Sequence, residues 1–207
     1  MRPVVRVGGV DFDELLNPLP MDGAIVVGVI RQITVGETAK GRKGTSWGQV
    51  KAPLKMVAPD WGQRIKSGLS SGEGLISQVR DPVYKREARK RQGQTVYEDI
   101  LFDPGEDDKR LLVVESEFAN VLRQLARQGN ILSIVIRDAW ETGDLATLVK
   151  NNPTKATGAH VSIIGHITID ELKRYLTRTE AANGFGNRFL WFLVKRSKVL
   201  PEGGQDL

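Results

Sequence analysis

The chain has 207 residues, 40% of them hydrophobic and 27% charged, with no cysteine. That length fits one domain able to bury a core without covalent staples, and the missing thiols exclude disulfides, thiolate zinc sites, iron–sulfur clusters and a Cys nucleophile. No apolar run approaches the roughly 20 residues of a membrane span, and the first twenty residues mix acids and prolines into their apolar stretch, unlike a signal peptide. The expectation is a cytoplasmic protein that makes no use of a membrane. Lysine and arginine number 30 against 25 acids, a formal charge of +5. That balance suits a nucleotide or nucleic-acid partner and equally a solvated basic face.

In chain order, residues 24–29 (AIVVGV) and 33–35 are rich in β-branched side chains and predict strand. They run into GETAKGRKGTS (36–46), a loop of glycine, small and basic residues. Helical spacing follows over 47–58, interrupted by Pro53 and stopped by Pro59. Residues 64–69 predict a short strand, and Ser70–Ser71 predict the cap of a helix over 72–80. Residues 81–110 change character: a basic cluster (Lys85, Arg86, Arg89, Lys90, Arg91) precedes an acidic one (Glu106, Asp107, Asp108), the pattern of a surface excursion or flap. LLVV (111–114) predicts a strand buried on both faces. A helix over 117–128 ended by Gly129 comes next, then a second over 131–140 and a loop over 142–155. HVSIIGHIT (160–168) predicts a strand, Asp170 the cap of a helix over 171–178, and RFLWFLVK (188–195) a final buried strand. Strands alternating with helices predict an α/β fold with a largely parallel sheet. Such sheets bind ligands beyond the carboxyl ends of their strands.

Four segments carry candidate chemistry. A phosphate loop needs glycines that let backbone N–H groups curl around an anion, a lysine for the outer phosphates and a hydroxyl for Mg²⁺, at a helix start. VGETAKGRKGTSW supplies these types in Gly36, Gly41, Lys43, Gly44, Thr45 and Ser46, but the spacing departs from G-x-x-x-x-G-K-[ST]. Arg42 stands where the lysine belongs, and Gly44 intervenes before Thr45. The bland alternative is a basic surface loop. In LLVVESE, Glu115 ends an apolar strand where a carboxylate can hold Mg²⁺, and Glu117 follows where an acid can orient water. Both are equally compatible with ordinary first-turn acids of a helix. His160 and His166 share strand parity but lie about 20 Å apart if extended, too far for one metal. His166, or Thr168, could instead sense a γ-phosphate or simply satisfy a hydrogen bond. Asn187 and Arg188 follow a glycine-bracketed turn; Arg188 could offset charge on a transferring phosphoryl group or pair with an acid such as Glu180. Ser70, Ser71 and Glu73 read as a switch element or a helix cap.

Taken together, GETAKGRKGTSWGQV, SGLSSGEGLISQVRDP, LLVVESEFANVLRQLARQGN, ATGAHVSIIGHITIDEL and TEAANGFGNRFLWFLVKRSKVLPEGG resemble, in that order, a bacterial, phage and plasmid family. It is a P-loop ATPase-like domain of unknown function found in replication proteins alongside primase–polymerase modules. The resemblance implies a RecA-like core over 33–204 with the charged excursion at 81–110, a poorly matching segment at 1–32 and a tail at 205–207. Family members usually carry longer flanking parts, so it also implies a minimal or truncated core. ATP and Mg²⁺ are its implied ligands. Residues 36–46 would form the phosphate loop, with Lys43 on the β/γ phosphates and Thr45 and Glu115 on the metal. Glu117 would position water, His166 would sense the phosphate and Arg188 would offset charge. Replication proteins are the implied partners, and further copies of the chain follow by analogy with RecA-like cores. The alternative, motivated by the basic cluster Lys85 to Arg91, is a non-catalytic assembly module or nucleic-acid-binding module on the same scaffold, with single-stranded DNA as partner.

Overall fold

The computed structural model describes residues 6–7, 10–11, 30–36, 47–52, 56, 60–91, 94–149 and 153–195. A short ladder joins β1 (Arg6–Val7) to β2 (Val10–Asp11). The β-branched segment RQITVG forms β3 (Arg31–Gly36), and residues 47–52 are helical. A 3₁₀ turn then leads into the short β4 (Ile65–Lys66). Helix α1 (Gly72–Ser77) begins where the Ser71 hydroxyl accepts from the Gly74 amide, so the serine pair is a helix cap. Next come β5 (Val83–Arg91), β6 (Gln94–Asp103) and β7 (Arg110–Glu115). Two helices follow, α2 (Phe118–Leu125) and α3 (Leu132–Glu141). Gly129, at φ +79°, turns the chain between them. The expected loop over 142–155 contains two-residue strands, β8 (Leu145–Ala146) and β9 (Lys155–Ala156). Strand β10 (His160–Thr168) has the predicted bounds. The last elements are α4 (Ile169–Tyr175), α5 (Arg178–Ala182) and β11 (Leu190–Val194).

Five strands form one parallel sheet in the order β11-β3-β10-β7-β4. Its alternation is asymmetric. Ile33, Val35, Leu111, Val113, Val161, Ile163 and Ile167 are buried and pack with Phe118 and Leu122 of α2 and Leu132, Val135 and Ile136 of α3. Of the opposite parity, Gln32, Thr34, Ser162 and Ile164 are half-buried, while Leu112 and His166 are buried. Helices α1 and α3 pack on each other, as do α2 and α4. Burial of these aliphatic side chains, roughly 25 cal/mol per Å² of apolar surface, is what fixes the register.

Two expectations are corrected here, and a third gains its structure. The helix after β10 is capped by Thr168, not Asp170. The Thr168 hydroxyl accepts from the Glu171 amide, and the Glu171 carboxylate accepts from the Thr168 amide, a reciprocal capping box. Among the described residues β11 pairs with β3 alone, so the final strand stands at an edge of the sheet, with Leu193 at 73% exposure. Its unbroken apolar run reads as a buried strand, but edge position is set by chain order, which local pattern does not carry. The third concerns residues 81–110. They form a surface excursion, and it is a regular two-stranded ribbon. Strands β5 and β6 pair antiparallel over their whole length, with all nine residues of β5 exposed.

This ribbon is tied down at its root. The Arg80 guanidinium donates to both oxygens of Asp103 at 2.8 and 2.9 Å, and Arg64 pairs with Glu106 at 3.0 Å. Lys109 Nζ donates to the Val79 and Arg80 carbonyls and, at 2.8 Å, to Asp81. Burial would raise the Asp81 pKa, but hydrogen bonds from Lys109 and from the Thr157 hydroxyl and amide outweigh it and bring it to about 2. Hydrogen bonds from Arg80 and the Gly105 amide hold Asp103 at about 2 as well. Both carboxyls lie below their usual value near 3.8, so the unfolded chain takes up protons first as pH falls. The stabilisation is complete above about pH 4 and is lost progressively toward pH 2. Thermal midpoints measured from pH 6 down to 2.5 should therefore decline below about pH 4, and an Asp103→Asn chain should decline less steeply. Identical acid limbs would remove Asp103 from the root's energetics.

Candidate functional site

Because the five strands are parallel, their carboxyl ends meet at one edge of the sheet. Three of the sequence candidates stand there. Gly36 ends β3, Glu115 ends β7, and His166 sits two residues from the end of β10, the strand between them. The register is explicit: Gly36 pairs with Thr168, Thr34 with His166, and Glu115 with Gly165. Gly36 and Glu115 are therefore two strand spacings apart across the sheet and three residues apart along it, each offset roughly 10 Å. Their Cα atoms are therefore roughly 14 Å apart. Gly41, Lys43, Gly44, Thr45 and Ser46 lie outside the described residues.

Register also fixes which way the side chains project. Directly paired residues share a face, so Ile33, Gly165 and Glu115 face the helices α2 and α3, while Thr34 and His166 project from the other face. Glu115 and His166 thus flank the edge from opposite sides. Glu115 is 9% exposed, and its Oε1 accepts from the Leu69 amide at 2.7 Å. That bond ties the loop 67–71, which follows the short edge strand β4, to the end of β7. The chain places a serine next to Glu115, and Ser116 is exposed. Glu117 is exposed at the start of α2; its Oε2 accepts from Asn120 Nδ2 at 3.1 Å, and it makes no side-chain cap bond to the helix. Glu115 is thus a buried anchor with a charge at the strand end, and Glu117 is the solvent-facing acid beside it.

A cavity of about 290 Å³ opens against the same loop, lined by Lys66, Ser67, Ser70, Ser71 and Gln78, over Leu111 and Val113. It lies on the β4 side of Glu115, away from β3. Its volume is at the lower limit for small-molecule sites, roughly 300 Å³.

Arg188 is not part of this edge. It precedes β11, at the amino end of the sheet, where its guanidinium donates to the Gly184 carbonyl at 2.9 Å and pairs with Glu141. The sequence reading names Glu180 as a possible acid for it; Glu180 instead accepts from the Ser133 hydroxyl at 2.5 Å and from Asn183. Within one chain, Arg188 and Glu115 stand at opposite ends of parallel strands, so a charge-offsetting role for Arg188 toward a ligand at the Gly36–Glu115 edge is excluded in cis. Asn187 shares its short 3₁₀ turn.

A residue the sequence does not single out accompanies Arg188. Arg31, first in β3, is 1% exposed. Its Nη1 donates to the Ile136 carbonyl at 2.6 Å, its Nε to the Val161 carbonyl at 3.2 Å, and its guanidinium lies over the Trp140 ring. Burial, reinforced by the nearby Arg188 charge, lowers its pKa to about 10. The signal for it is thin: a lone arginine opening an apolar strand looks like a flank. Its contacts are carbonyls and a ring face, which makes it a brace between β3, β10 and α3.

Among the described residues no three His, Asp or Glu side chains converge as a metal site. A nucleotide-bound Mg²⁺ does not ask for one, because one or two carboxylates and the substrate's phosphates supply its ligands. Glu115 is the buried carboxylate that stands at this edge. Compared with known proteins, the chain matches no family model, and no curated protein is similar to it at a significant level.

Proposed function

We propose that the chain binds an Mg²⁺–nucleoside triphosphate, ATP in the first instance, at the carboxyl edge between β3 and β7, on a RecA-like P-loop core. One observation carries the reading. Gly36, from which the chain enters its glycine- and lysine-rich segment, ends β3, Glu115 ends β7, and β10 separates these two strands, so both residues stand on the same edge of one parallel sheet. In open α/β sheets this is where phosphate ligands sit. Lys43 would neutralise the outer phosphates, Thr45 and Glu115 would hold the cation, and His166 would face the ligand from the strand between. Bound there, the cation would supply charge neutralisation of the phosphates. Glu117, exposed and two residues beyond Glu115, is the group suited to orient a water. Replication proteins remain the partner class that the sequence resemblance favours.

The direct test is a nucleotide titration. A Lys43→Ala chain should lose at least about tenfold in ATP affinity, the loss of about 1.4 kcal/mol of phosphate binding. Unchanged affinity would remove Lys43, and with it the phosphate loop.

A further inference from the structure

We propose that the β5–β6 ribbon is an arm that binds single-stranded nucleic acid, with bases stacked on Tyr84 and Tyr97 and phosphates held by Arg86 and Lys90. The inference stands apart from the nucleotide site, because the ribbon leaves the sheet near the amino end of β7 while Glu115 ends that strand at the other.

The ribbon is built unlike the rest of the molecule. Nine residues at strand rise extend it roughly 30 Å from its root. An isolated two-stranded ribbon with no core against either face is marginal in water. Yet this one exposes its largest side chains, with Tyr84 at 60% and Tyr97 at 61%. Cross-strand partners share a face, and Tyr84 is opposite Leu101, Arg86 opposite Asp99, Ala88 opposite Tyr97, and Lys90 opposite Thr95. Along that face aromatic and basic groups alternate from root to tip: Tyr84, Arg86, Tyr97, Lys90. The Arg86 guanidinium lies over the Tyr97 ring, 5.5 Å from its centroid. Exposed rings interleaved with cations are what a single strand engages, each ring offering a base a π-face and each cation a phosphate.

Charge selects the partner. From residue 88 to residue 97 the ribbon carries Arg89, Lys90 and Arg91 and no acid. Arg89 and Arg91 both lean on one carboxylate, Glu98, on the other face, which leaves the outer half net positive. A cationic tip repels a second copy of itself, and charged edge residues discourage strand addition. A paired duplex hides its base faces, so the tyrosines favour unpaired bases. The root, held by the Arg80–Asp103 pair, gives the arm a fixed base.

The test is fluorescence anisotropy of the full chain, without nucleotide, against labelled 20-mers of oligo-dT and oligo-U and a duplex of equal length, from 50 to 200 mM salt. Single strands should bind more tightly than duplex, and the tighter of the two homopolymers identifies DNA or RNA as the ligand. Tyr97→Ala should weaken binding about fivefold or more, whereas Tyr97→Phe, which keeps the ring, should bind like the parent. The double change Arg86→Gln and Lys90→Gln should reduce the salt slope of log K by about 1.4, as two lost phosphate contacts require. These side chains are on the exposed ribbon, and matched thermal midpoints verify that the variants fold. Parent-like binding and salt slope in both the alanine and the glutamine variants, no binding at 50 mM salt, or a preference for duplex would overturn the proposal. So would self-association that the ribbon variants abolish, since the ribbon would then serve a second copy.

Discussion

Replacing Glu115 by glutamine is expected to cut Mg²⁺-dependent ATP turnover about a hundredfold or more, while the unfolding midpoint stays close to that of the parent. The two halves of that expectation come from two properties of one side chain. The amide of glutamine keeps a carbonyl oxygen that can accept from Leu69, so the bond between the loop 67–71 and β7 survives. What disappears is the negative charge at the strand end, which in the proposed site helps to hold the cation. Charge stabilisation by a bound cation is worth several kcal/mol, hence the size of the rate effect. Glu115→Ala removes both properties. It should lose turnover equally and also lose about 1–3 kcal/mol of stability, because a buried backbone N–H is left without its acceptor. Urea unfolding and steady-state hydrolysis, run on both variants, separate the roles. A glutamine variant with unaltered turnover would leave Glu115 as a structural anchor alone.

The parallel α/β architecture is legible in the sequence because each central strand is an apolar run with its own boundary. The ends predicted for HVSIIGHIT coincide with those of β10. The helices α2 and α3 are legible from their apolar spacing, each to within a few residues. The order of strands is a different kind of information. That β10 lies between β3 and β7, and that β11 is an edge, depends on which faces pack against which helices over long sequence separations. No window of residues states it. The ribbon escapes local reading for a related reason: VYKREARKR alternates no apolar residues, so period-2 patterning is absent, and the strand exists through cross-strand pairing with β6. At the site, residue types were readable and distances were not. Glu115 and Glu117 look alike in LLVVESE, but register turns the first inward onto Leu69 and leaves the second in solvent. Arg188 reads as a neighbour of the chemistry and stands at the far end of the sheet, since chain proximity to a glycine turn says nothing about which edge that turn occupies.

Gly165 is the position where a single methyl group should do the most damage to the framework. It lies in the central strand, with Ile33 and Glu115 as its register partners on either side. A Cβ built there would approach the Ile33 Cδ1 to 2.6 Å and the Phe118 Cδ2 to 2.8 Å. Neither neighbour has room to retreat. Ile33 and Phe118 are fully buried, and the Phe118 ring packs edge-on against Phe189 at 5.5 Å between centroids. Overpacking of this kind costs about 1–3 kcal/mol for alanine. For a chain of this length that lowers the melting midpoint by roughly 2–12 °C, and valine, with two further methyl groups, should exceed the alanine effect. The origin of the cost is checked by Ile33→Val, which removes the very Cδ1 atom in the way. If steric conflict is the cause, Gly165→Ala should cost less in the Ile33→Val background than in the parent, with a coupling of about 0.5 kcal/mol or more in a double-mutant cycle. Simple additivity would mean that the conflict lies wholly with the Phe118 ring, and Phe118→Leu should then supply the coupling instead. Because α2 begins at Phe118, directly after Glu117, a ring forced outward would also shift the acid to which the proposed function assigns the orientation of water. Stability and, in the proposed site, turnover should accordingly fall together in Gly165→Ala, and be restored together in whichever double variant relieves the clash.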